Sequence, residues 1–137
     1  MNKIIVYTYG VFDILHPGHI NVLKNAKALG DFLVVGIVAD EPVRKLKGDT
    51  RPIMPQADRA ALISALKCVD DVVLQKEYDP SQNILQYTQK INILTKGDDW
   101  DFIPGTSAVE SIGGKLIKLP YTQSQSTSAI IRKIQNG

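Results

Sequence analysis

The sequence predicts an α/β fold with a parallel sheet, and three observations carry that prediction. Short β-branched runs alternate with helical stretches along the chain, the pattern of successive strand–helix–strand units. Phe32-Leu33-Val34-Val35-Gly36-Ile37-Val38-Ala39 is almost continuously apolar, as expected of a strand covered on both faces. Polar, charged and glycine-bearing segments follow the strand ends, where open α/β sheets place their ligands.

Each element has its own signal. Residues 4–9 form the expected first strand, and residues 17–29 the first helix, with Ile20, Leu23 and Ala26 on its inward stripe and Gly30 as a C-cap signal. After the apolar run of 32–39, residues 45–55 are rich in basic and turn residues and are expected to be a loop. A helix is expected over 57–66 with Leu62, Ile63 and Leu66 inward, then a strand over 71–74, a helix over 83–90 and a strand over 91–95. Residues 97–105 are polar and irregular, and a short helix around Val109 ends at Gly113-Gly114. Residues 115–119 form the last strand and 128–135 a closing helix.

Composition narrows the class of protein. A chain of 137 residues fits one domain spanning 1–137 and is long enough for a core. A net charge of +2 is too small to indicate nucleic acid or an anionic membrane surface as partner. No apolar run reaches membrane-spanning length, and the chain opens on a strand, not a signal peptide. A cytoplasmic protein is therefore expected. Cys68 has no second cysteine for a disulfide or a thiolate metal site and is expected to be a small core residue.

The chemistry concentrates in His16-Pro17-Gly18-His19, where the first strand hands over to a helix. Pro17 has φ preset and no N–H to lose, so it suits a first helical turn. Gly18 lets a ligand approach the backbone. Free N–H groups and the positive end of the helix dipole attract anions. Residues three apart share a helix face, so His16 and His19 can both donate to phosphate oxygens.

Tyr9-Gly10-Val11-Phe12-Asp13-Ile14-Leu15-His16-Pro17-Gly18-His19 resembles the signature of the HxGH nucleotidyltransferases, the cytidylyltransferase-like superfamily. Its members include glycerol-3-phosphate cytidylyltransferases and heptose-1-phosphate adenylyltransferases. The resemblance covers the chain from Ile5 to about Ile134. It implies a Rossmann-like, doubly wound sheet of five parallel strands in the order 3-2-1-4-5, and a homodimer.

Three further segments extend the likeness. Val43 to Pro55 holds Arg44, Lys45, Lys47 and Arg51 near Gly48, and resembles the heptose-enzyme pattern of basic residues, Lys-Gly, then Arg-Pro-Ile. By resemblance Lys47 reaches the phosphates and Arg59 contacts the triphosphate or acceptor. Lys96-Gly97-Asp98-Asp99-Trp100 combines a heptose-type lysine with the Gly-Asp-Asp-Trp of the glycerol enzymes, which implies that Asp99 and Trp100 line the site. Ser126-Thr127-Ser128 opens the last helix. It is an N-cap signal and, by resemblance, a phosphate-binding element. The glycerol enzymes carry an Arg-Thr pair just upstream, where Tyr121-Thr122 stands here.

The implied reaction is attack by an acceptor phosphate oxygen on the α-phosphorus of a nucleoside triphosphate, with pyrophosphate leaving. His16, His19, Lys47 and Arg59 form the implied catalytic set. Tyr9, Gly10, Val11, Phe12, Gly18, Asp99, Ser126, Thr127 and Ser128 are the implied nucleotide contacts, and Asp13, Arg51 and Trp100 the implied acceptor contacts. Mg²⁺ is expected with the triphosphate, and no metal site made by the protein is expected. CTP with a small polyol phosphate such as glycerol 3-phosphate is slightly favoured. The alternative is ATP with a sugar 1-phosphate of the heptose kind. A non-catalytic nucleotide-binding regulator is a remote third reading, disfavoured by the intact motifs. A dinucleotide oxidoreductase lacks its Gly-x-Gly-x-x-Gly after the first strand.

Overall fold

A computed structural model describes residues 3–97, 102–120 and 127–136. Five strands, β1 (Ile5–Gly10), β2 (Phe32–Val38), β3 (Asp71–Gln75), β4 (Ile93–Gly97) and β5 (Lys115–Leu119), form one sheet. Its order is β3-β2-β1-β4-β5 and every pairing is parallel. The helices are α1 (Pro17–Lys27), α2 (Asp40–Lys47), α3 (Gln56–Ser64), α4 (Ser81–Gln86), α5 (Thr106–Ser111) and α6 (Thr127–Gln135).

Alternation along β1 divides the core between the two faces of the sheet. Ile5, Tyr7 and Tyr9 join Val34 and Leu94 in a cluster completed by Ile84 of α4 and Val109 of α5. Val6 joins Leu33, Val35 and Ile37 in a second cluster with Leu23 and Ala26 of α1 and Ile63 of α3. The expected doubly wound architecture follows, because each face of the parallel sheet buries its own helices. Cys68 packs at the margin of the second cluster.

One position of central strand β2 requires glycine. Tyr7 donates its hydroxyl to Gln75 Oε1 at 2.7 Å, inside the core. A Cβ on Gly36 would lie 2.1 Å from the Tyr7 oxygen, so only glycine leaves room for this buried hydrogen bond.

Several element boundaries differ from expectation. Helix α2 begins at Asp40, where a helix was not expected, and the loop starts only at Gly48. Asp40 and Glu41 in its first turn and Arg44, Lys45 and Lys47 in its last complement the helix dipole, a charge pattern without the usual apolar period. Helix α4 covers Ser81–Gln86, not 83–90. It starts early because Asp79 accepts from the Ser81 N–H at 2.9 Å, and stops where Tyr87 turns to an extended ψ of 142°. Strand β4 begins at Ile93, and Asn92 just before it accepts from the Ile5 N–H through its side-chain oxygen at 2.8 Å.

Two packing expectations are also corrected. Leu62 is 41% exposed while Ile63 is fully buried, because neighbouring residues sit about 100° apart around a helix. Gly30 is not a left-handed cap. The C-cap of α1 is Ala28, and Gly30 is needed because a Cβ there would meet Ile4 O at 2.7 Å. Gly113 does end α5 in the left-handed region at φ 86°. Its N–H bonds Glu110 O and the Gly114 N–H bonds Val109 O, the paired closure of a Schellman motif. No helix among the described residues is long and apolar enough to cross a membrane.

Candidate active site

A cavity of about 690 Å³ opens where β1 and β4 end. The strand order reverses between these two neighbours, and such a reversal leaves a crevice because the chain departs to opposite faces of the sheet.

The turn from β1 to α1 forms one wall. Phe12 and Ile14 adopt left-handed φ angles of 54° and 50°, a conformation costing about 1–3 kcal/mol each for side chains of this kind. The turn is held in it by several contacts. Asp13, only 2% exposed, accepts from Ile53 N–H at 2.7 Å and Met54 N–H at 2.9 Å. Its backbone carbonyl accepts from the Thr127 hydroxyl. The strained turn is thus stitched both to the loop after α2 and to the start of α6.

The two histidines cap α1 for each other. His16 Nδ1 accepts from Gly18 N–H at 3.1 Å, and His19 Nδ1 accepts from His16 N–H at 3.3 Å. This is a capping box, with imidazoles in the roles usually taken by a hydroxyl and a carboxylate. An Nδ1 that accepts leaves the neutral ring's proton on Nε2, so each ring keeps an Nε2–H donor. The rings stack with centroids 3.7 Å apart, and Phe12 lies edge-on to His19 at 5.4 Å.

Burial lowers the pKa of both rings, and the neighbouring His16 helps push His19 down to about 4. Both are therefore neutral donors at pH 7. An unfolded histidine titrates near 6.5, so between pH 6.5 and about 4 the unfolded chain binds protons that folded His19 refuses. Stability contributed by neutral His19 is full above pH 6.5 and is lost as pH falls toward 4. Thermal unfolding should show a steeper fall in Tm over this window for wild type than for His19→Asn. Parallel curves would contradict the assignment.

Tyr9, Gly10, Val11, Phe12, Asp13, His16, Gly18 and His19 all line the cavity. Lys47 and Arg51 reach it from the other side, and Thr127 and Ser128 bring the start of α6 to it. Burial and the Arg51 charge lower the Lys47 pKa, which marks a concentration of positive charge. Asp99, Trp100 and Ser126 lie outside the described residues.

One expected role is corrected by geometry. Arg59 is not on the cavity wall and is fully buried. Its guanidinium donates to Met54 O at 3.0 Å, Val11 O at 2.7 Å, Val38 O at 2.8 Å and Asp40 Oδ1 at 2.7 Å. That side chain is committed to tying α3, the β1 turn and the end of β2 together, and cannot serve as a triphosphate or acceptor ligand in this arrangement. Asp13 touches the cavity, but both its carboxylate oxygens are taken by loop amides. These bonds make it an anchor for the loop at the cavity wall.

Lys96 and Tyr78 are among the cavity-lining residues absent from the expected site. Lys96 donates its ammonium to Tyr9 O and sits 4.4 Å from the Tyr9 ring centroid; the Lys-Gly at a strand end was its signal. Tyr78 follows β3 and also lines the cavity. A lone tyrosine in a turn offers no sequence signal.

Neutral imidazoles stacked at a helix start, beside a cluster of cations and a second helix N-terminus, define an HxGH-type nucleotidyltransferase. Residues 7–133 match the family model described as Cytidylyltransferase-like, and the chain belongs to that family. It is 43% identical over 136 residues to a D-beta-D-heptose 1-phosphate adenylyltransferase of Bordetella bronchiseptica, covering 97% of this chain and 83% of that one. It is 46% identical over 135 residues to the bifunctional protein HldE of Helicobacter pylori and 42% over 137 to that of Geotalea uraniireducens. These matches cover 96% and 98% of the chain but only 27% and 28% of the bifunctional proteins, so the chain spans about a quarter of their length. A solved structure of a lipopolysaccharide core biosynthesis protein from Thermoplasma volcanium superposes with a TM-score of 0.73 at 36% identity, over 90% of this chain and all of that one.

Proposed function

We propose that this chain transfers AMP from ATP to a sugar 1-phosphate of the heptose kind and releases pyrophosphate. The observation that carries the choice of substrates is the 43% identity, over 97% of this chain and 83% of the other, to a protein named for that reaction. It reverses the slight preference for CTP and a polyol phosphate drawn from Gly97-Asp98-Asp99-Trp100. The absent upstream arginine, with Tyr121-Thr122 in its place, favours the same substrates.

In the proposed reaction a phosphate oxygen of the acceptor forms a bond to the α-phosphorus of ATP. The bond from that phosphorus to the bridging oxygen breaks, and the electron pair leaves with pyrophosphate. The nucleophile is already an anion, so no general base is needed. The obstacles are repulsion between two anions and charge building on the transferred and leaving groups, which preorganised donors and cations counter. His16 and His19 supply Nε2–H donors aimed from a rigid helix start. Lys47, at the exposed end of α2, neutralises charge, and Thr127 and Ser128 hold the outer phosphates at the N-terminus of α6. Tyr9, Gly10, Val11, Phe12 and Gly18 shape the floor, with Gly18 allowing close approach. Among the described residues no group of three or more histidine, cysteine or acidic side chains could hold a metal ion. Mg²⁺ in this reading arrives with the triphosphate, bound by phosphate oxygens and water.

A pyrophosphate-release assay crossing ATP, CTP, GTP and UTP with heptose 1-phosphate, mannose 1-phosphate and glycerol 3-phosphate tests this. ATP with heptose 1-phosphate should exceed every other pair by at least about tenfold in kcat/KM, the low end of what differential pocket contacts supply. Preference for CTP with glycerol 3-phosphate would overturn the proposal.

A further inference from the structure

One stripe of α1 carries the cavity away from the histidine turn. Gly18, Val22 and Asn25 all line the cavity, and their spacing of i, i+4 and i+7 puts them on a single helix face. Leu23 and Ala26, on the neighbouring face, are buried in the core. Leu119 and Pro120, where β5 ends, line the same cavity and supply a second wall. Leu119 belongs to the same buried cluster as Leu23 and Ala26, so the two walls of this slot are joined through the core.

The slot differs in chemistry from the histidine end. Lys47 and Arg51 enter the cavity from the segment after β2, whereas β5 lies beyond β4 on the other side of β1. Gly18, Val22, Leu119 and Pro120 carry no charge. Gly18 has no side chain, so a flat group can lie against the helix there. Asn25 ends the stripe as an exposed neutral amide, with a donor and an acceptor side by side. Seven residues of helix place it about 10 Å beyond Gly18, the direction and reach of a nucleoside extending away from its phosphates.

The amide also has a preferred base. Adenine presents the N6 donor beside the N7 acceptor, and asparagine pairs with both. Guanine presents two acceptors, O6 and N7, on the same edge, which leaves the amide oxygen facing another oxygen. A pyrimidine has one ring fewer and reaches less far along the slot.

We propose that Asn25 is a specificity-determining residue, its side-chain amide hydrogen-bonding the N6 and N7 edge of an adenine seated between Val22 and Leu119. This rests on the ATP reading above.

Asn25→Ala is the informative variant, because the side chain is exposed and alanine suits a helix interior. Its Tm should match wild type within a few degrees. Calorimetry without acceptor should show ATP bound about tenfold more weakly, within the range of a lost bidentate base contact. Purine riboside triphosphate, which lacks the N6 amino group, provides the second arm. Wild type should bind it about tenfold more weakly than ATP, while Asn25→Ala should bind the two nucleotides equally. A variant that binds ATP as wild type does would overturn the proposal. So would one that weakens both nucleotides by the same factor, the mark of a disturbed helix. The wild-type assay of substrate pairs separates the two readings. Preference for ATP together with an unaltered variant removes only the Asn25 contact. Preference for CTP removes the adenylyl reading and this contact with it.

Discussion

Replacing His19 by alanine is expected to lower kcat by about 10²–10³-fold, the usual cost of deleting one preorganised donor to a developing oxyanion. Nδ1 of His19 faces the His16 backbone, so the functional loss comes from Nε2. His16 requires a more careful variant, because its Nδ1 also caps α1 through Gly18 N–H. Loss of an N-cap costs about 1 kcal/mol, so His16→Ala mixes a stability effect with a chemical one. Asparagine is a good N-cap residue and has no donor where Nε2 lies. His16→Asn should therefore keep the wild-type Tm within a few degrees and still lose kcat on the scale of His19→Ala. Turnover within tenfold of wild type in His19→Ala would remove these rings from the chemistry.

Arg59→Met is expected to lose stability rather than to act on turnover. Methionine fills similar volume, but it leaves the Asp40 carboxylate and the carbonyls of Val11, Val38 and Met54 without the donor they share. Breaking a buried ion pair by removing one partner costs about 3–5 kcal/mol. Asp40 retains some solvent contact, its side chain being 22% exposed, which places the loss toward the lower end. Against a typical total of about 5–15 kcal/mol, the shift in a urea midpoint should be plain. At a temperature where the variant is folded, KM for both substrates should change less than the midpoint implies. A normally stable variant with abolished turnover would restore Arg59 to the catalytic set.

These two predictions mark how far sequence reading reaches. His16 and His19 are legible because their function depends on local spacing: three residues apart at a helix start, they must share a face. Lys47, Thr127 and Ser128 line the cavity because the parallel sheet gathers strand ends at one edge, but their expected roles came from resemblance to the family's motifs, since locally they read as a basic loop and a helix start. Arg59 misled because a helix-opening arginine looks alike whether it faces solvent or core. Only the position of α3 against the end of β2 buries it. The hold of Asp13 on the loop was hidden for a similar reason, since its partners, the amides of Ile53 and Met54, lie 40 and 41 residues away. Tyr78 was invisible because a lone tyrosine in a turn carries no local sign that the fold brings it to the cavity.

The sequence by itself determined the parallel α/β class, most element positions, the family and the phosphate-binding turn. Each is written in short-range periodicity, turn chemistry or a contiguous motif. Tertiary structure alone decided which charged groups are spent inside the protein and which are offered to a ligand. Satisfaction of a polar group depends on what the fold brings within about 3 Å of it, and residues that close in space can be distant in the chain.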